Sequence, residues 1–93
     1  KLSENEKNIA ENLIVNYTVL KAHAYLKNGL SDSAIVYLQN NASGISNKEG
    51  GKARYHYLLG QCYLTNLEYH LAEKEFKTAS ALAQQFYLPH API

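Results

Sequence analysis

An all-α chain is predicted, with four helices arranged as two helix–turn–helix units. Three features of the sequence predict it. From Ala53 to Ala79, apolar residues recur at three- and four-residue steps on both sides of a break near Asn66, the period of helices that bury one face. A constant step of 38 residues carries Tyr25 onto Tyr63, Leu26 onto Leu64, Ala34 onto Ala72, Leu38 onto Phe76 and Ala22 onto Gly60, so a degenerate copy precedes the second unit. Turn chemistry falls between the periodic runs, at Asn28-Gly29, at Thr65–Glu68 and in the stretch NASGISNKEGG.

Residues 1–28 read as one long helix. Ser3 and Glu6 have the spacing of a capping box, in which each side chain satisfies an amide that the helix start leaves unpaired. Ile9, Leu13, Tyr17, Leu20 and Ala24 follow at near-four-residue steps, a continuous stripe of the kind that faces a core. Gly29 suits the left-handed residue that closes a helix. The first unit spans about 15–42, which makes 3–14 an N-terminal extension; the tail of a preceding repeat's helix is the alternative.

The second helix covers 31–42, capped by Ser31 or Asp32. Ala34, Ile35 and Leu38 face inward, with Ala42 at the limit of the pattern and Tyr37 on the flank. Residues 43–51 form the connector, anchored by Ile45 alone. The second unit spans about 52–88. Its helices run from Lys52 to Thr65 and from Glu68 to Phe86, and the latter stops before Pro89 because the residue preceding a proline disfavours helix.

On the third helix Tyr55, Leu59, Cys62 and Tyr63 share a face; on the fourth, Tyr69, Ala72, Phe76, Ala79 and Ala83 do. A mid-helix glycine costs about 1 kcal/mol relative to alanine, so Gly60 implies close approach of another helix, with Ala72 the small residue expected opposite. Glu73 and Lys77 form a solvated i, i+4 pair. The apolar end FYLPHAPI is expected to dock on the helices or to continue into further sequence.

Numbered from Ala53, this second unit resembles the tetratricopeptide repeat, a helix–turn–helix unit of roughly 34 residues. Leu59, Gly60, Tyr63, Ala72, Phe76 and Ala79 stand at its signature places. The pattern departs at His56, where the family usually has Trp, and at Gln84, where it has Pro. In the first copy Lys21 takes the Leu place and Asn41 the last Ala place. The resemblance implies a short right-handed α-solenoid; a generic four-helix array with the same pattern is the alternative.

Bulk properties narrow the partners. The 93 residues make one domain with a net charge of +1, which gives no electrostatic footprint for nucleic acid or an anionic membrane. Lys48, Lys52 and Arg54 are a mild basic cluster at a helix start. No apolar run reaches the ~18 residues of a membrane span, and no secretory leader pattern is present. The chain opens on Lys1 and holds no Met, which predicts a processed product or an excised domain. Cys62 is alone, so no disulfide forms within the chain, and its place on the packed face predicts a buried thiol.

No reaction centre is legible. His23, His56, His70 and His90 are scattered, and no His or Cys pair has zinc-ligand spacing. Cys62 and His56 lie six apart on one helix, out of line for a thiolate–imidazole pair. Glu4, Glu6 and Glu11 fit a solvated face. Gly50-Gly51 opens a helix and is no phosphate loop. The triplets at Asn16 and Asn41 match a glycosylation acceptor, a pattern common by chance. Catalytic, cofactor-binding and metal-ligating residues are therefore assigned to none, and the expected activity is non-enzymatic.

In the resembled family the first helix of each unit lines a concave groove that holds a peptide or a partner helix. By position, the groove residues are Asn16, Val19, Leu20, His23, Leu26 and Lys27 in the first unit, and Arg54, Tyr57, Leu58, Gln61, Leu64 and Thr65 in the second. Leu20 and Leu58 are equally open to a core role. The family's carboxylate-clamp variety has Lys and Asn where this chain has Val19 and His23, a departure that speaks against binding of a chaperone tail. Over residues 50–93, KARYHYLLGQCY and the tail ending API are similar to tetratricopeptide lipoproteins of the bacterial envelope. Those are associated with gliding motility and type IX secretion. This similarity implies a scaffold in the cell envelope or periplasm; the cytoplasm is the alternative. Two roles remain: a module whose groove binds another protein, or a segment of a longer array that stacks on neighbouring repeats or self-associates.

Overall fold

The computed structural model describes residues 3–46 and 50–87. Their architecture is all-α: α1 (Glu4–Lys27), α2 (Ser31–Asn40), a short 3-10 turn (Ala42–Gly44), α3 (Gly51–Thr65) and α4 (Tyr69–Tyr87). Helices α1 and α2 pack as one pair and α3 and α4 as another, while α3 also packs on both α1 and α2. Helix α4 leans mainly on α3, so the four helices form an open sequence of neighbours. The molecule is 18 Å through its thinnest dimension, about two layers of helix. The tail from residue 88 onward and Lys48 lie outside the described residues.

Local chemistry sets the helix ends. Glu6 N–H donates to Ser3 Oγ and Ser3 N–H donates to Glu6 Oε1 at 3.2 and 2.9 Å, the reciprocal capping box. At the other end Leu30 N–H reaches back to Tyr25 C=O and Gly29 N–H to Leu26 C=O, with Gly29 at φ +78°. This is a Schellman closure. The same closure recurs 38 residues on: Glu68 N–H bonds Tyr63 C=O, and Leu67 N–H bonds Leu64 C=O. There the left-handed residue is Leu67, at φ +62°.

Helix α2 has no side-chain cap; its N-cap residue is Leu30. The expected caps, Ser31 and Asp32, are used elsewhere. Ser31 Oγ donates to Asn66 Oδ1, and Asn66 Nδ2 donates to Asp32 Oδ1 at 2.7 Å. Asn66 closes α3, so the start of α2 is tied to the end of α3. The first four amides of a helix lack an internal partner wherever the side chains go; here the two units compete for the capping groups, and the link between units wins.

One cluster joins the pairs: Val15 and Ala22 of α1, Ala34 and Leu38 of α2, Ile45 of the connector, and Tyr55, Leu58, Leu59 and Cys62 of α3. The stripe expected to face the core from α1 does not. Leu13, Tyr17 and Leu20 are 63, 62 and 69% exposed, and Ile9 and Ala24 are exposed as well. The buried face of α1 is Val15, Thr18 and Ala22. Both faces have helical spacing, and the position of α2 and α3 decided between them. Ala42 and Tyr69 are also exposed rather than inward. Ile45 is buried, as an anchor should be, and Glu73 pairs with Lys77 at 3.6 Å.

Gly60 does permit a close approach, but of Phe76 rather than Ala72. A β-carbon built on Gly60 would stand 2.6 to 3.0 Å from the Phe76 ring, inside van der Waals contact. In the first unit the equivalent places hold Ala22 and Leu38, both fully buried. The two units thus solve one packing problem with exchanged volumes, alanine with leucine and glycine with phenylalanine.

Two outcomes are expected. Leu67 is 68% exposed, so its side chain gains little from burial while its left-handed backbone costs about 1–2 kcal/mol. Part of that is returned because glycine frees the unfolded chain. Leu67→Gly should raise the melting temperature by about 2–8 °C; a lower melting temperature would contradict the closure described. Gly60→Ala should destabilise despite its better helix propensity, and Phe76→Leu added to it should recover stability. A double-mutant cycle should give a coupling of about 0.5–3 kcal/mol; strict additivity would show that the two positions do not meet.

Candidate functional site

An open groove of about 880 Å³ runs between α1, α3 and α4. Val19, Leu20 and His23 border it from α1, and Arg54, Tyr57, Leu58 and Gln61 from α3. Helix α4 contributes Phe76, Ala79, Ser80 and Ala83. The groove opens here because the alanines and the serine of α4 are small, while Phe76 is held to one side by Gly60.

Its one large aromatic platform is Tyr57 against Phe76, with ring centroids 5.6 Å apart and planes tilted by 49°. Tyr57 is 53% exposed, and its hydroxyl accepts a weak bond from Gln61 Nε2 at 3.4 Å. Arg54 Nη1 donates to Asn16 Oδ1 at 3.1 Å, which joins α1 and α3 at the rim. The lining is thus apolar at its floor with polar heads at its edge.

Of the residues expected from sequence, Val19, Leu20, His23, Arg54, Tyr57, Leu58 and Gln61 border this one groove, and Asn16 reaches its rim through Arg54. Leu58 is a core residue that also shows at the floor, only 3% exposed, whereas Leu20 is largely exposed. Lys27, Leu64, Leu26 and Thr65 lie outside the groove. They belong to the last turns of α1 and α3, beyond the reach of the α4 residues that form the third wall. The contribution of α4 was missed. Its signal was the run Ala79, Ser80, Ala83, where small residues occupy a face that a closed core would fill.

On the other side of α3, His56 Nδ1 lies 2.6 Å from Glu75 Oε1. Both side chains are mostly covered, and the pair ties α3 to α4 where the resembled repeat has a Trp. Burial, then the Glu75 carboxylate, pushes the Tyr55 and Tyr63 hydroxyls above the ordinary tyrosine range. Lys21 stands over the rings of Tyr37 and Tyr17 at 5.1 and 5.8 Å, which explains a lysine at a leucine place. Burial pushes the Cys62 thiol up to about 11, so it stays protonated at neutral pH and is a poor nucleophile.

Among the described residues no group of three or more His, Cys, Asp or Glu side chains could hold a metal ion. No described helix is long and apolar enough to cross a membrane. No protein-family model, curated protein or solved structure matches this chain.

Cys62 should label slowly with a thiol reagent in the folded state and quickly in denaturant; equal rates would place it at the surface. Its raised pKa also carries a sign. The unfolded thiol loses its proton near pH 9 and the folded one near 11, so the folded state binds more protons in between. Stability from this group is complete below pH 9 and declines as pH rises towards 11. Denaturant melts should show that decline, and Cys62→Ala should flatten it; a variant with the same slope would assign the effect to the tyrosines alone.

Proposed function

We propose that this chain is a non-enzymatic scaffold that binds a segment of another protein in the groove between α1, α3 and α4. The observation that carries this reading is the exposed Tyr57 ring packed against the half-buried Phe76 inside an apolar groove, flanked by the Arg54 and Gln61 heads. Folded proteins rarely leave so much aromatic and aliphatic surface together without use. Tyrosine and arginine at the centre of such a surface are the residue types that most often dominate binding energy. The likeness to envelope lipoproteins over residues 50–93 favours an assembly in the cell envelope as the setting.

A second reading has its own observation: the exposed stripe of α1. Under it the chain is a segment that stacks on neighbouring repeats.

A photo-crosslinking residue at position 57 should yield a covalent adduct with one defined protein in the native cells, identified by mass. The same residue at Val36, exposed on α2 away from the groove, should yield none. Adducts at 36 and not at 57 would sink the groove reading. With the partner in hand, Tyr57→Ala with Arg54→Ala should weaken binding by at least ~1–2 kcal/mol. The same double variant should melt far closer to the parent than Phe76→Ala, whose lost contacts cost about 3–5 kcal/mol.

A further inference from the structure

We infer that copies of this chain associate head to tail, the exposed stripe of α1 in one copy seating against α3 and α4 of the next. This inference rests on the groove described above and assigns a second copy of the chain as an occupant. It comes from applying the 38-residue step to the contact between the two units.

Helix α3 packs on the first unit through Gly51, Tyr55, Leu58 and Cys62, all buried. One step back, those places are Leu13, Tyr17, Leu20 and Ala24, all exposed. The stripe that faces solvent on α1 is therefore the face by which α3 docks. The receiving surface repeats in part. Tyr55, Leu58 and Cys62 share a cluster with Val15 and Leu38 of the first unit. One step forward, those places are Ala53 and Phe76, which line the open groove, and the longer α4 adds Ala83 where the first unit has its connector. Among the described residues both halves of one interface are thus uncovered, one on α1 and one on α3 and α4.

Two details fit. Within the chain a β-carbon on Gly51 would meet the Ser46 carbonyl and, at 3.4 Å, Val15; in the repeated contact Leu13 of the incoming copy meets Ala53, a smaller residue than Val15. Arg54 bonds Asn16 within the chain, and the same step brings Asn16 of the incoming copy to the other side of that guanidinium, which has donors to spare.

Helix lengths match as well. Helix α1 starts at Glu4, nine residues before Leu13, the counterpart of the first residue of α3. Helix α4 runs to Tyr87, nine residues past Thr78, the counterpart of the last residue of α2. The Asn66 link sets the start of α2 beside the end of α3, so the end of α4 meets the start of an incoming α1. The two overhangs, about 13 Å each, cover one another, and Ile9 falls within that contact. Such a contact joins different surfaces and does not close on itself, so it propagates into chains or rings.

Sedimentation velocity on the full 93-residue chain over a range of concentrations tests this. The mass should rise above the 10.4 kDa monomer in successive steps. Tyr17→Glu, on the stripe, and Ala83→Glu, in the groove, should each hold the protein at monomer mass, with circular dichroism and melting confirming that both fold. If Ala83→Glu does not fold, Tyr57→Glu replaces it. Mixed together, the two variants retain one good stripe and one good groove, so they should form a 1:1 dimer and nothing larger. A parent chain that stays monomeric at its highest soluble concentration overturns the inference. So does a mixture that stays monomeric, or a variant that associates as the parent does. Failure here leaves the groove reading standing if the crosslink at position 57 still captures a different protein, because Tyr17→Glu does not alter the groove; then the occupant is that protein.

Discussion

The fold depends on the apolar face of α3. Tyr55, Leu58, Leu59 and Cys62 are the residues through which the second pair of helices joins the first. Helix α4 packs chiefly on α3, so without that face the chain would separate into two helical hairpins. Each large apolar side chain buried there contributes about 1.5–3 kcal/mol. A chain of this size buries a modest share of its surface, and the described residues form this one cluster around α3. The connector shares in the same cluster through Ile45, which holds the loop against the first unit.

Polar ties fix how the helices sit around that face. Asn66 takes Ser31 and Asp32 as partners at one end. Arg54 takes Asn16 at the opposite end, and His56 takes Glu75 across the α3–α4 pair. The Arg54–Asn16 bond is exposed, whereas the Ser31–Asn66 and His56–Glu75 contacts are partly buried; a single hydrogen bond contributes about 0.5–1.5 kcal/mol net. What they supply is position: the first two ties join the units near the two ends of α3, which sets the angle at which the groove opens. Gly60 then decides which side Phe76 occupies, and with it the floor of the groove.

Helix α3 has neighbours on both sides, α1 and α2 on one and α4 on the other. Among the described residues, α1 and α4 each present one covered and one open face. The open face of α1 is apolar because its residues stand at the places by which α3 docks; the open face of α4 carries Ser80 and Ala83, whose small side chains leave the groove open. The proposed binding groove and the proposed contact between copies draw on the same two surfaces, the exposed stripe of α1 and the wall of α3 and α4.

The four helices and both ends of α1 were legible from the residues alone. Capping, Schellman closure and turn residues act through hydrogen bonds between groups a few residues apart, so Ser3 with Glu6 and Gly29 were legible without the fold. The 38-residue step was equally legible; it sets Asn16, Val19 and His23 at the places of Arg54, Tyr57 and Gln61, and it was the tetratricopeptide resemblance that implied a shared groove for those places. Which of two helical faces α1 buries depends on where α2 and α3 come to rest, because periodicity defines a stripe and not the neighbour that covers it. Only the tertiary structure placed Phe76 rather than Ala72 against Gly60, and drew Ser31 and Asp32 from capping to Asn66. It also left Lys27 and Leu64 outside the groove and added the wall of Ala79, Ser80 and Ala83. Each of these is a choice between partners far apart in the chain, and it is settled by where whole helices come to rest.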